Sequence, residues 1–291
     1  MMGMSKDSLT KPRAKVYARK RRYKEAEKFI RLEPIIEILR AAIWTGKVSG
    51  EKPVSVMLVA RQESCKTECL KFFGGTPTLR YMSDLTAKGL NPYRQDIESG
   101  RMRHIVLLDL VRILSHGRNV SDRTIQSIAS LMEEGESETS DAGGQNRWSN
   151  FPRIGALMGI TPEFFNSKRG RWRTTGFLTR FVPVSFEYSK ETQHDVHMAI
   201  ANGHHLPTPE AEKIPPHDFV VEMPHKHART LARRAEALGE QMKTYGFRYQ
   251  RVLRSLAKAH ARICGRGIVT DADVGKVIVW SDYFTEKPVV L

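Results

Sequence analysis

Two textures of apolar residues succeed one another along the chain. Up to about residue 190, short apolar runs alternate with segments of helical period, whereas beyond residue 226 the period is helical throughout. Residues 54–60 (Val-Ser-Val-Met-Leu-Val-Ala) have the length and β-branched content of a strand buried on both faces. His104-Ile-Val-Leu-Leu-Asp109 is a second such run, and residues 79–85, 153–161 and 179–186 bring the predicted strands to five. Between them, residues 23–46 carry Ile35, Ile36, Ile38, Leu39, Ala42 and Ile43 on one helical face, and residues 66–73 and 120–134 also read as helices, the last with Ser121 as its cap. Residues 135–150 are polar and glycine-bearing, as a loop or hairpin would be.

Strands alternating with helices predict an α/β fold with a mainly parallel five-stranded sheet, followed by a small helical lid. The expected divisions are a basic tail over residues 1–24, an α/β domain over 25–190, a Pro- and His-rich linker over 191–226 and the helical lid over 227–291. Seven histidines fall between His194 and His227, but without regular helical spacing or a cysteine they fit a linker better than a metal site.

Charge changes the picture more than composition does. The formal net charge is +15, which calls for an anionic partner, with DNA or RNA the leading class. Residues 11–24 form one basic block with two tyrosines. Lys168, Arg169, Arg171 and Arg173 surround Trp172 in another, a mixture that suits backbone phosphates with a stacked base, or equally a neighbouring subunit. Three cysteines give no disulfide framework, so a reducing cytoplasm is the expected setting. No apolar run approaches the roughly 18 residues of a membrane span, and no membrane association is expected.

The chemistry-bearing segment is Ala60-Arg-Gln-Glu-Ser-Cys-Lys-Thr67, placed between a predicted strand and a predicted helix. That is the setting of a phosphate-binding loop, in which backbone amides around Glu63, Ser64 and Cys65 cradle phosphates, Lys66 neutralises them and Thr67 offers its hydroxyl to Mg²⁺. Two positions where such loops carry glycine hold Ala60 and Cys65 instead. Cys65, beside a cation at a helix start, is either an activated thiol or a glycine replacement without a role. About 40 residues beyond Lys66, Asp109 ends an apolar strand, as the aspartate that holds Mg²⁺ through water does.

In this order the motifs resemble those of AAA+ ATPases, most closely the MCM, MoxR and magnesium-chelatase branch, over roughly residues 25–284. The resemblance implies ATP and Mg²⁺ as cofactors, assembly into a ring or spiral of six copies, and work on DNA in replication, as a helicase, loader or remodeller. Thr161, in Met158-Gly-Ile-Thr161, matches the polar sensor at the end of the fourth strand. Gly176-Phe-Leu-Thr-Arg-Phe181 looks like the box carrying the arginine finger, which makes Arg180 the finger. Arg248 takes the place of the second sensor arginine at the start of a lid helix, with Arg251 as its neighbour. Residues 268–274, Ile-Val-Thr-Asp-Ala-Asp-Val, are similar to the turn before the last lid helix. The family's Asp is followed by a glutamate that polarises water, whereas Leu110 follows Asp109 here. Slow hydrolysis is therefore expected, with Glu63 as a substitute base; the alternatives are a nucleotide-gated DNA-binding scaffold without significant turnover, or a basic nucleic-acid-binding protein with no nucleotide site. The same resemblance places ATP between Lys66 and the lid.

Overall fold

The computed structural model describes residues 29–135, 138–141, 144–147, 153–204 and 206–291. The basic block at residues 11–24 lies outside them.

The chain runs α1 (Glu33–Thr45), β1 (Val56–Val59), α2 (Lys66–Lys71), β2 (Leu79–Met82), a 3-10 turn, α3 (Arg94–Glu98), β3 (His104–Leu107), α4 (Leu110–Ser115) and α5 (Arg118–Glu133). A short hairpin of β4 (Glu138–Asp141) and β5 (Gly144–Arg147) follows, then β6 (Gly155–Ile160), α6 (Pro162–Thr174), β7 (Val182–Glu187) and α7 (Lys190–Ala201). Helices α8 (His225–Met242), α9 (Phe247–Ile263) and α10 (Asp271–Ser281) and the two-residue β8 (Val289–Val290) end it.

The main sheet has six strands in the order β2-β3-β6-β1-β7-β8, all parallel. The expected count of five is corrected to six, because the chain's last residues return to lie beside β7: Phe186 pairs with Val289, and the Leu291 amide donates to the Glu187 carbonyl at 2.9 Å. Strands buried on both faces account for the unbroken apolar runs of β1, β3 and β6. Their alternate residues divide between two cores, as a pleated strand requires. Val56 and Leu58 face α1 and α8–α10, while Met57 and Val59 face α5 and α6.

Details of the punctuation differ from the sequence reading. Gly117, not Ser121, occupies the N-cap of α5; Ser121 lies one turn inside, its hydroxyl bonded to the Arg118 carbonyl. Residues 190–201 form helix α7 instead of linker. The Pro-rich stretch after it is docked: Glu212 accepts from Arg40 (2.7 Å) and Trp44 (2.9 Å), and Lys47 donates to the Pro216 carbonyl (2.7 Å). The C-terminal helices share a core with the sheet: Leu231, Leu253 and Val277 belong to the same buried cluster as Ile35 and Val56. Helix α10 opens on a capping box in which Thr270 and Asp273 exchange hydrogen bonds.

Candidate functional site

After β1 the chain turns into α2, whose Cys69 and Leu70 join the core on one face of the sheet. After β6 it turns into α6, whose Phe165 and Trp172 join the core on the other. Adjacent parallel strands that send their connections to opposite faces leave a crevice beyond their carboxyl ends. Here it is a cleft of about 550 Å³, lined by the loop from Gln62 to Glu68 together with Asp109, Gly159, Thr161 and Phe164. The fold therefore brings Glu63, Ser64, Cys65, Lys66, Thr67, Asp109 and Thr161 to one place. Gly159 makes the approach possible, since a Cβ there would lie 3.1 Å from the Leu108 carbonyl oxygen.

Within the cleft the Lys66 ammonium folds back onto the loop, 2.5 Å from the Arg61 carbonyl and 3.3 Å from Ser64 Oγ. Partial burial holds its pKa below the ordinary lysine value, against the pull of Asp109, Glu163 and Glu68. Ser64 is buried, and its hydroxyl also reaches the Arg61 carbonyl, at 2.7 Å. The Tyr188 hydroxyl donates to the Ser64 carbonyl at 3.2 Å and so pins the loop from beyond β7. Asp109 caps α4 by accepting the Val111 amide at 2.9 Å. The Thr161 hydroxyl is not used to cap α6 and stands at the cleft wall.

Of the two absent glycines only one is felt. Ala60 extends β1, its amide reaching the Ile160 carbonyl at 3.3 Å, and keeps a negative φ. Cys65 sits at φ 59° and ψ 18°, the left-handed region that suits glycine, and Glu63 at φ 60° does the same. Burial raises the Cys65 thiol above its ordinary value, against the pull of Tyr188 and Lys66. Leu110 is wholly buried in the core beneath the cleft, so the position where the resemblance expects a glutamate faces away from water. Sequence reasoning missed Glu163, in the first turn of α6, whose charge reaches Lys66. It also missed Tyr188, for which no sequence motif gives a signal.

The arginines are elsewhere. Register pairs Val56 with Val182, so Arg180 lies level with residue 54, about 20 Å along the strand direction from the loop that starts at Ala60. It donates to the Gly176 carbonyl (2.7 Å) and to Glu134 (3.0 Å), while its Nε is buried without a partner. Arg248 bonds the Thr179 hydroxyl and lies 4.0 Å from Glu133, on this same side. Helix α9 packs against α1 and presents Arg248 at the amino ends of the strands, away from the Lys66 cleft of the same chain.

The second basic stretch is also corrected. It is helix α6, with Trp172 buried at 3% exposure between Phe165 and Phe177, unavailable for stacking on a base. Arg169 and Arg173 hold Glu286 at 3.0 and 2.7 Å, and Arg171 pairs with Asp122. Only Lys168 of that group has no such commitment among the described residues.

No protein-family profile matches the chain, and no characterised protein matches by sequence. Solved structures do. A full-length MCM homolog from Methanopyrus kandleri superposes with a TM-score of 0.53 at 12% identity, covering 98% of this chain and 63% of that one. The fold is MCM-like. The chain spans less than two thirds of that structure, and at this identity the likeness concerns the fold alone, not the phosphate-loop residues. Among the described residues no helix is long and apolar enough to cross a membrane.

Proposed function

We propose that this chain is an ATP-binding P-loop protein of the AAA+ type that acts on DNA as an assembly of copies, in a cytoplasmic setting, with slow hydrolysis. The observation that carries the reading is the convergence of Lys66, Thr67, Asp109 and Thr161 on one cleft at the carboxyl ends of β1, β3 and β6. The residues suit Mg-ATP: an ammonium bonded to loop oxygens, a threonine beside it and a carboxylate across the cleft. Lys66 and the loop amides would hold the phosphates, Thr67 and Asp109 the magnesium, and the group would supply a phosphoryl bond whose cleavage can drive a change of shape.

Arg180 and Arg248 serve this chemistry only toward a neighbouring copy, because both stand at the other end of the sheet from Lys66. In this reading copies pack head to tail, and α8–α10 act as a lid over the next copy's cleft. Slow hydrolysis follows from Leu110, which offers no base and is buried. Glu63, which lines the cleft, is the carboxylate that would orient a water in its place.

The experiment is binding of a fluorescent ATP analogue to wild type and Lys66→Ala. The variant is expected to lose binding while keeping its Tm. Equal affinity in a folded variant removes the nucleotide site and the reading with it.

A further inference from the structure

The turn between α8 and α9 carries an aromatic pair that the fold does not use. Tyr245 is 86% and Phe247 70% exposed. Their rings stack on one another, centroids 5.8 Å apart and planes 18° from parallel. The backbone holds them out: Lys243 and Gly246 both take left-handed conformations, and at Gly246 a Cβ would lie 2.5 Å from the Ala235 carbonyl oxygen. Two large rings held in water by a fixed turn mark a surface that meets something else.

What it meets is told by charge. The rings border a cup of about 430 Å³ whose wall includes Arg173, Lys243, Arg248 and Arg251 against one carboxylate, Glu286. Glu286 is already shared by Arg169 and Arg173. Glu133, next to the cup, is shared by Lys52, Arg248 and Arg251 at 2.6, 4.0 and 3.5 Å. Positive charge is therefore in excess around exposed rings, in a chain whose net charge is itself +15. Protein partners bury cores depleted of charge. Single-stranded nucleic acid asks for the mixture found here, ring faces for its bases and cations for its phosphates. A duplex hides its base faces within the stack.

We propose that the Tyr245–Phe247 turn and its cationic cup bind single-stranded nucleic acid, one base stacking on the aromatic pair and the flanking phosphates resting on Lys243 and Arg251. The proposal rests on the reading of this chain as a nucleic-acid-acting protein and gives that reading a location. It replaces the stretch at residues 168–173, whose tryptophan is buried.

The test is fluorescence anisotropy of a labelled oligothymidylate at low and rising salt, with wild type, the double variant Tyr245→Ala/Phe247→Ala, Tyr245→Phe and Lys243→Gln. The double variant is expected to bind about tenfold more weakly or worse at unchanged Tm, since both rings are exposed, while Tyr245→Phe binds as wild type. Lys243→Gln should lower the log–log salt slope by about 0.7. An oligonucleotide carrying 5-iododeoxyuridine should crosslink to Tyr245 or Phe247. Wild-type binding with an unaltered double variant and no crosslink at the turn overturns this site and leaves the nucleic-acid reading standing. No wild-type binding at low salt overturns both. A double variant that loses self-association in sedimentation, but not oligonucleotide affinity, assigns the turn to a second copy of the chain instead.

Discussion

The two ends of the six-stranded sheet are built on opposite principles. At the carboxyl ends, Lys66, Thr67, Asp109 and Thr161 line an open cleft, and the lysine satisfies itself with a carbonyl and a hydroxyl of its own loop. At the amino ends, cations gather on shared carboxylates. Glu133 takes Lys52, Arg248 and Arg251, while the buried carboxylate of Glu51 takes Lys258 at 2.7 Å, Arg254 at 3.0 Å and the Ser255 hydroxyl at 3.0 Å. These contacts tie α9 to α5 and to the loop before β1. At one end polar side chains line an open cleft, and at the other they hold helices together. Arg180 stands at this end too, bonded to the Gly176 carbonyl and Glu134, with a buried Nε that has no partner, as have Arg103 Nε and His104 Nδ1.

That comparison is broken or sharpened most strongly by a mixing experiment. Arg180→Ala and Lys66→Ala are each expected to lower ATP turnover by about 10³-fold, the lower end of what an arginine finger contributes. Mixed together they should regain part of the wild-type rate, because some junctions then join an intact Lys66 to an intact Arg180. If Arg180→Ala turns over as wild type does, or if the mixture is no faster than its components, the two ends do not form one site.

A smaller effect tests the dryness of the amino end. His104 opens β3 with no exposed surface, its Nε2 3.2 Å from the Val54 carbonyl and its ring against Gly155 and Gly46, where a Cβ would approach it to 2.3 and 3.0 Å. Burial lowers its pKa from 6.5 to about 4. The folded value lies below the unfolded one, so the unfolded chain binds the proton first. Stability from this group is complete above pH 6.5 and is lost as pH falls toward 4. Between pH 6.5 and about 5 the loss should be about 2 kcal/mol, before most carboxylates titrate. Urea unfolding of wild type and His104→Gln across that window should differ in slope, whatever their absolute stabilities. Parallel curves would mean that the imidazole meets water, and that this end of the sheet is not closed.

The same contrast explains what the sequence disclosed. Strands β1, β3 and β6 were legible because burial on both faces leaves apolar runs, and the turn over residues 60–67 because strand, loop and helix follow within a dozen residues. The sixth strand was not, since two residues at the chain's end carry no period, and only their pairing with β7 defines them. Trp172 read as a stacking residue because its neighbours are basic; the helix that turns it inward onto Phe165 and Phe177 is a tertiary fact. Arg248 was singled out by its surroundings in sequence, but the end of the sheet at which it stands depends on α9 packing against α1.

The smallest effect belongs to the open end, and it separates strain from chemistry. Cys65 holds a left-handed backbone at the point where the loop enters α2, a conformation that costs an L-residue roughly 1–2 kcal/mol. Cys65→Gly removes that cost, while the freer unfolded chain takes back about 0.4–1 kcal/mol. The half-buried sulfur, packed beside the core, gives up some contact as well. The sum is a stabilisation of about 1 kcal/mol or less, a rise in Tm of a few degrees at most. Affinity for an ATP analogue should increase a few-fold in the same variant, because the loop amides can then close without a side chain at the turn. A fall in Tm with unchanged affinity would mean that the loop is not held in the left-handed basin when free. The cleft would then owe its shape to the ligand, and the distinction between a preformed open end and a locked amino end would not stand.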